Sequence, residues 1–297
     1  MKNFNNVLIY LSLGFVVWYL WDSGLYHTPE IYNVKLLAWS FILLILGHIL
    51  YVKAWESMLS EQFVLDRQII YESESLTIFN KYIPGKIWVV LGPVSYLKRY
   101  YNISTKQIIN YSFNLQVIII WTGLLFGLFF IGSFNNLLMT AYAIMFITLS
   151  LLVFTSYVHK FVEKIIFLIL SKVIKLPKIE IKFNIISIVW ILLMWLVWSF
   201  AFYLFVLSTI QIDQNINIVV GLVFPIASVI GIVTILSPGG IGVRESMMIV
   251  LLLELNMDLE LSTQVSIDSR LWFIVFEILI FFTSLLSIIF RKVTDEY

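Results

Sequence analysis

Residues 235–253 read ILSPGGIGVRESMMIVLLL. Apolar runs lie on both sides. Yet Pro238, Gly239, Gly240 and Gly242 interrupt the chain, and Arg244 and Glu245 head the run that follows. Proline lacks an N–H donor and clashes with the preceding helical turn, so no regular helix passes through this segment. In hydrocarbon, backbone without helical pairing is tolerated only where protein or a water-filled cavity surrounds it. The segment therefore predicts a turn at the membrane surface or lining an internal polar cavity, followed by a short helix. The glycines permit positive φ and close approach to a ligand. The N-terminus of the short helix offers N–H groups and partial positive charge to an anion.

The rest of the chain supplies the membrane. Of 297 residues, 61% are hydrophobic and 12% charged, and the mean hydropathy is +0.96. A soluble domain is about a quarter charged. Apolar runs near the roughly 20 residues that cross hydrocarbon occupy 5–21, 35–55, 106–131, 137–156, 184–208, 217–236 and 264–290. Barrel strands alternate apolar and polar residues, whereas these runs are continuous. Two more apolar segments, 82–97 (YIPGKIWVVLGPVSYL) and 238–255, are short and carry Pro-Gly near their start. The expected fold is an all-α polytopic membrane protein, one transmembrane domain over 1–297. It has about eight passages at the usual span length, with two Pro-Gly-broken helices, re-entrant or half. The first run has a positive start, but Trp18, Tyr19 and Trp21 follow it rather than a small-residue cleavage site, so it reads as a retained span.

Lysine and arginine set the orientation. They crowd 53–106, 157–182 and the C-terminus, and are nearly absent from 22–35, 132–136, 211–217 and 256–261. Both termini are expected in the cytoplasm. Segments 60–79 and 159–175 read as surface helices joining spans, and Trp55 and Tyr96–Tyr101 as interface anchors. Pro84-Gly85 and Pro238-Gly239 lie 154 positions apart. That spacing divides the chain into candidate halves, 1–156 and 157–297. A matched pair of broken segments points to inverted repeats and to a transporter's binding site between them.

Arginine in a helix's first turn opposes the dipole, whereas Glu245 agrees with it. Arg244 therefore has three readings: contact with a phosphate or carboxylate ligand, an ion pair with Glu245 or Asp268, or snorkelling to headgroups. Arg270 lies within the last span, where an arginine is a functional candidate. Glu277 sits two turns further along the same face, either extending an internal polar track or pairing with another helix. Lys86 follows Pro84-Gly85 as the cationic counterpart of Arg244. His48 reads as a satisfied interhelical hydrogen bonder, and Glu56 as interfacial.

A net charge of +1 gives no pull toward nucleic acid, and the absence of cysteine excludes disulfides and thiolate sites. His27, His48 and His159 lie in separate segments, without metal-ligand spacing. No phosphate-binding loop, nucleophile elbow or dinucleotide fingerprint occurs. No metal, cofactor or ATP chemistry is expected.

SPGGIGVRE resembles the signature of the membrane domain of lysylphosphatidylglycerol synthases. That superfamily includes stand-alone flippase-like proteins and the membrane halves of some glycosyltransferases. The pattern falls on Pro238, Gly239, Gly240, Ile241, Gly242 and Glu245. YIPGKIW is similar to the family's first Pro-Gly element, on Tyr82, Pro84, Gly85, Lys86 and Trp88. VKAWESML is similar to the end of its second span, on Lys53 and Trp55, and Arg270 matches the arginine of its last span. Many members carry a Glu and an Arg soon after the first element, whereas this chain reads Trp88 to Pro93, more like glycan-pathway members.

The resemblance implies movement of a lipid between leaflets. The leading expectation is a flippase-like transporter of an anionic amphipathic lipid, a phospholipid or a polyprenyl-phosphate-linked glycan. It would sit in a bacterial or archaeal cytoplasmic membrane, alone or with cell-envelope biosynthetic enzymes. Lys86, Pro238, Gly239, Gly240, Gly242, Arg244, Glu245 and Arg270 would bind the substrate. Pro84 and Gly85 would form the other turn, and Glu245 and Glu277 would carry protons. The alternatives are a membrane-embedded glycosyl- or aminoacyl-transferase component, with Glu245 as base, and a non-catalytic partner in glycan assembly.

Overall fold

The computed structural model describes residues 30–83, 87–128, 136–154, 164, 184–210, 216–234 and 237–295. The expected first span at 5–21, most of the basic segment 157–182, and Pro84, Gly85 and Lys86 lie outside them. The described residues are helical and contain no strand. The helices are α1 (Val34–Leu59), α2 (Arg67–Ser75), α3 (Ile87–Leu97), α4 (Thr105–Gly127), α5 (Asn136–Phe154), α6 (Ile185–Thr209), α7 (Val223–Val233), α8 (Val243–Glu254) and α9 (Leu259–Asp295). Short 3-10 turns lie at Ile78–Tyr82, Ile218–Leu222 and Pro238–Gly240, the last two just before α7 and α8. Among the described residues, α1, α4, α6 and the Leu259–Arg291 stretch of α9 are long and apolar enough to cross a membrane. The run at 217–236 is interrupted: the 3-10 turn comes first, and Pro225 is accommodated in the first turn of α7, where an N–H has no helical acceptor.

Asparagine starts the two longest-packed helices. The Asn33 side chain accepts from the N–H groups of Lys35 and Leu36, and that of Asn184 from Ile186 and Ser187. Each satisfies donors that the first helical turn leaves without partners. α1 and α6 lie antiparallel against each other. At one end the Tyr32 N–H donates to the Ser208 carbonyl at 2.8 Å. At the other, the Ser187 hydroxyl donates to the Ala54 carbonyl at 3.0 Å. Outward faces remain apolar: Trp39, Ile42 and Ile49 on α1, and Leu196 and Phe200 on α6, are exposed. A helix apolar on its outer face as well as its inner one suits a membrane rather than water. Inside, Phe202, Phe205, Phe224 and Trp272 pack ring against ring, with Phe205 and Trp272 stacked at 4.8 Å.

The remaining packing is reciprocal. α2 packs on α3, and α7 on α8; α3 packs on α4, and α8 on α9. Across the molecule α4 packs on α7, while α9 packs on α2, and the Ile78–Tyr82 turn touches the Pro238–Gly240 turn.

Three expectations need correction. Segment 60–79 is not simply a surface helix: Ile70, Glu72, Ser73, Glu74 and Ser75 of α2 are buried. Its acids can go inside because donors meet them there. Glu72 accepts from Tyr96 at 2.6 Å and Ser287 at 3.0 Å, and pairs with Arg291 at 2.9 Å. Nor is Trp55 an interface anchor. It is fully buried, and its Nε1 donates to Ser73 Oγ at 3.2 Å. Tyr96, the donor to Glu72, is likewise buried.

Candidate functional site

The Pro238–Gly240 turn adopts backbone that side chains resist. φ is +60° at Gly239 and +72° at Gly240. Space excludes a side chain as well. A Cβ at Gly239 would lie 2.6 Å from Tyr82 Cδ1, and one at Gly240 would lie 2.8 Å from the Gly231 Cα. The turn is therefore wedged between the Ile78–Tyr82 turn and α7.

Arg270, from α9, holds it there. Its Nη1 and Nη2 donate to the Gly239 carbonyl at 3.1 and 3.2 Å, and Nη1 also donates to Glu245 Oε1 at 3.2 Å. The other Glu245 oxygen, Oε2, accepts from the Gly242 N–H at 2.7 Å. This revises the expected open anion site at the N-terminus of α8. The chain's own carboxylate takes the Gly242 N–H, as the dipole favours, and Arg270 balances that carboxylate. Glu245 reaches the site through Arg270.

Arg244 does not snorkel: it is only 6% exposed. Its guanidinium lies over the rings of Phe224 and Phe273, at 5.0 and 5.4 Å, a favourable arrangement for a desolvated cation. Its Cβ is packed against Gly231, where a methyl group would sit 3.1 Å away. Glu277, fully buried, pairs across to another element rather than along its own helix. Lys81 donates to Oε1, and the Tyr82 hydroxyl donates to Oε2 at 2.8 Å.

These groups line one cavity of about 350 Å³. Lys81, Arg244 and Arg270 face it from three elements, together with Gly239, Tyr82 and Glu277. The sequence pointed to Lys86 in the first segment; among the described residues the cation brought to the cavity is Lys81. It precedes Tyr82 of the Pro-Gly element, and that adjacency was the available signal. Burial lowers its pKa, and the Arg270 and Arg244 charges lower it further; the contact with Glu277 opposes both.

The remaining wall comes from α1 and α2. His48 Nε2 and Ser75 Oγ are 2.9 Å apart, which bears out the reading of His48 as an interhelical hydrogen bonder. The Tyr51 hydroxyl donates to Glu74 Oε2 at 2.7 Å. Burial raises the Glu74 carboxyl pKa to about 7, against the lowering effect of that hydrogen bond. Neither Glu74 nor Tyr51 carried a sequence signal. Among the described residues, no group of three His, Cys, Asp or Glu could hold a metal ion. No protein-family model, curated protein or solved structure matches the chain.

Proposed function

We propose that the protein is a flippase-like transporter of an anionic amphipathic lipid, either a phospholipid or a polyprenyl-phosphate-linked glycan. One observation carries the reading: three cationic side chains from three elements converge on a single cavity within an apolar helical bundle. Ionisable groups at such depth are costly and mark substrate paths. A phosphate would meet Arg244, Arg270 and Lys81, while lipid tails stay against the exposed apolar faces of the long helices. The rings of Tyr82 and Phe273 leave the same cavity room for an uncharged part of the headgroup.

The architecture that goes with this reading is a pair of inverted halves. α1, α2–α3 and α4 correspond in order to α6, α7–α8 and α9. The antiparallel α1–α6 pair and the crossed α4–α7 and α9–α2 contacts are what a two-fold axis in the membrane plane requires. The two broken segments meet near that axis. Rocking one half against the other would expose the cavity to each leaflet in turn. About eight passages, counted at the usual span length, and cytoplasmic termini complete the arrangement. The setting is a bacterial or archaeal cytoplasmic membrane, where cell-envelope enzymes would supply or consume the lipid.

The test is reconstitution of the full chain in phosphatidylcholine liposomes carrying fluorescent phosphatidylglycerol or a labelled polyprenyl phosphate, with and without sugar donors. Leaflet exchange of either lipid without donor supports transport, and Arg244→Ala in a protein that remains folded should slow it about ten- to a hundredfold, the worth of a charged hydrogen bond. A donor-dependent new lipid product would favour the transferase reading. No exchange and no product would sink both.

A further inference from the structure

Among the described residues, Glu72, Glu74, Glu245 and Glu277 are buried or half-buried carboxylates in this part of the fold, and three of these hold a cation. Glu72 pairs with Arg291, Glu245 with Arg270 and Glu277 with Lys81. A cation at ion-pair distance favours the charged carboxylate. Glu245 and Glu277, the proton carriers expected from sequence, each lie within reach of such a cation.

Glu74 differs. It is 9% exposed, it lines the cavity, and its side chain accepts one hydrogen bond, from the neutral Tyr51 hydroxyl. Among the described residues it makes no ion pair. A desolvated carboxylate with one neutral donor is the kind that takes up a proton near neutrality. We propose that Glu74 is the proton-binding group of the cavity, loaded when an anionic headgroup enters and discharged when the headgroup leaves. This rests on the transporter reading above.

The surroundings support the assignment from every side. α1 presents His48 and Tyr51, and the turn after α2 presents Lys81 and Tyr82. α9 presents Arg270 and Glu277, and α8 presents Arg244. α4 and α6 contribute Gln116, Trp195 and Trp198, none of which titrates in the relevant range. Glu72, on the same helix as Glu74, is engaged by Tyr96 of α3 and Arg291 of α9. With the other cavity acid, Glu277, matched by Lys81, a charged Glu74 adds negative potential where a phosphate must bind. Protonation removes it. Headgroup affinity and proton affinity must then rise together by the same factor. Each phosphate that crosses carries one proton on a Glu74 oxygen, drawn from the water of the side it enters and returned to the water of the side it leaves. A transmembrane pH gradient would supply the driving force that the chain's lack of an ATP motif leaves open.

The test uses the full-length protein in lipid nanodiscs of phosphatidylcholine. Infrared difference spectra between pH 5 and 9 should show a protonated carboxyl band lost with a midpoint near 7. The band should shift in D2O, vanish in Glu74→Gln, and persist in Glu245→Gln and Glu277→Gln. Tyr51→Phe keeps the carboxyl and removes its donor, and should move the midpoint up by about one unit. The binding probe is glycerophosphoglycerol, a diester with no titration of its own near neutrality. Its affinity should fall about tenfold from pH 6 to pH 8 in the parent and stay level in Glu74→Gln. A band that survives Glu74→Gln, or equal pH dependence in both proteins, overturns the proposal and leaves the transporter reading standing. Failure of the diester to bind at any pH removes the anion reading and the coupling with it, even where the band titrates.

Discussion

The two broken segments meet at one cavity but hold their charges in opposite ways. In the second, α7 to α8, glycine backbone and one carboxylate are tied together by a guanidinium from α9: Arg270 binds the Gly239 carbonyl and Glu245, and Glu245 binds the Gly242 N–H. In the first, α2 to α3, side chains on ordinary helical backbone reach outward to distant partners, Glu72 to Arg291, Lys81 to Glu277 and Glu74 to Tyr51. The second segment is a rigid brace. The first is a set of cross-links from a short helix to α1 and α9. The second segment thus sets the shape of the cavity, and the first holds the proposed proton site.

The largest effect is expected at the brace. Arg270→Met leaves the Glu245 carboxylate and the Gly239 carbonyl without the guanidinium that joins them. Removing one partner of a buried pair costs about 3–5 kcal/mol. Arg270 is buried, while the Glu245 side chain is 15% exposed, so the lower end of that range applies. Denaturation of the detergent-solubilised protein measures it. The double variant Arg270→Met with Glu245→Gln should recover part of the loss. No recovery would mean that the carbonyl contact, rather than the ion pair, is what matters.

Next come the glycines. Gly239→Ala meets both a left-handed backbone and Tyr82 at 2.6 Å, for about 1–2 kcal/mol from conformation and a further 1–3 kcal/mol from overpacking. In the first segment, Gly92→Ala stands on right-handed helical backbone and meets the Asn80 Nδ2 and, at 2.9 Å, the Thr77 Cβ, so it carries overpacking without the conformational cost. Asn80 can swing away at the expense of its 3.3 Å hydrogen bond to the Trp88 carbonyl, worth about 1 kcal/mol. Equal losses at the two positions would contradict the contrast between left-handed and ordinary helical backbone.

The pH response comes third. The Glu74 carboxyl is raised to about 7 when folded, from an ordinary value of 4.5. The folded state binds that proton more tightly, so the stability it contributes is complete below about pH 4.5 and is lost as pH rises through 7. At 1.36 kcal/mol per unit the full loss is about 3.4 kcal/mol, most of it between pH 5 and 8. Denaturation midpoints of the parent should fall between pH 5 and 8 by more than those of Glu74→Gln. Parallel curves would mean that Glu74 does not bind the proton.

The same contrast explains what the sequence disclosed. The Pro-Gly-Gly break was legible because glycine and proline change the backbone wherever they stand, and Arg270 and Glu277 stood out as charges in an apolar run. The long helices were legible from run length. The first segment was not. Glu72 and Glu74 sit in a nine-residue helix that is polar on average, and polarity there reads as solvent. What buries them is tertiary: Ser287 and Arg291 lie more than 200 positions along the chain, and no local pattern announces them. Lys81 lies among the basic residues of the 53–106 connection, and symmetry with Arg244 favours Lys86 instead. The site was thus half visible, on the side where backbone carries it.

The smallest effect tests whether two acids two positions apart on α2 have different duties. Glu72 has three donors, from Tyr96, Ser287 and Arg291, and the last is a full charge. Tyr96→Phe removes one neutral donor while the ion pair remains, and a hydrogen bond to a charged group is worth about 1.5–3 kcal/mol at most. With two partners left to take up the slack, the expected loss is about 1 kcal/mol, near the value for an ordinary hydrogen bond. The variant should leave the pH dependence of stability as it is in the parent, because Arg291 and Ser287 still hold Glu72. Tyr51→Phe, one hydroxyl lost in the same way, should instead displace the pH dependence upward, because it removes the hydrogen bond that lowers the Glu74 pKa. If the two tyrosine variants shift the pH response alike, Glu72 and Glu74 form one network and the separation of anchor from proton carrier on α2 is wrong.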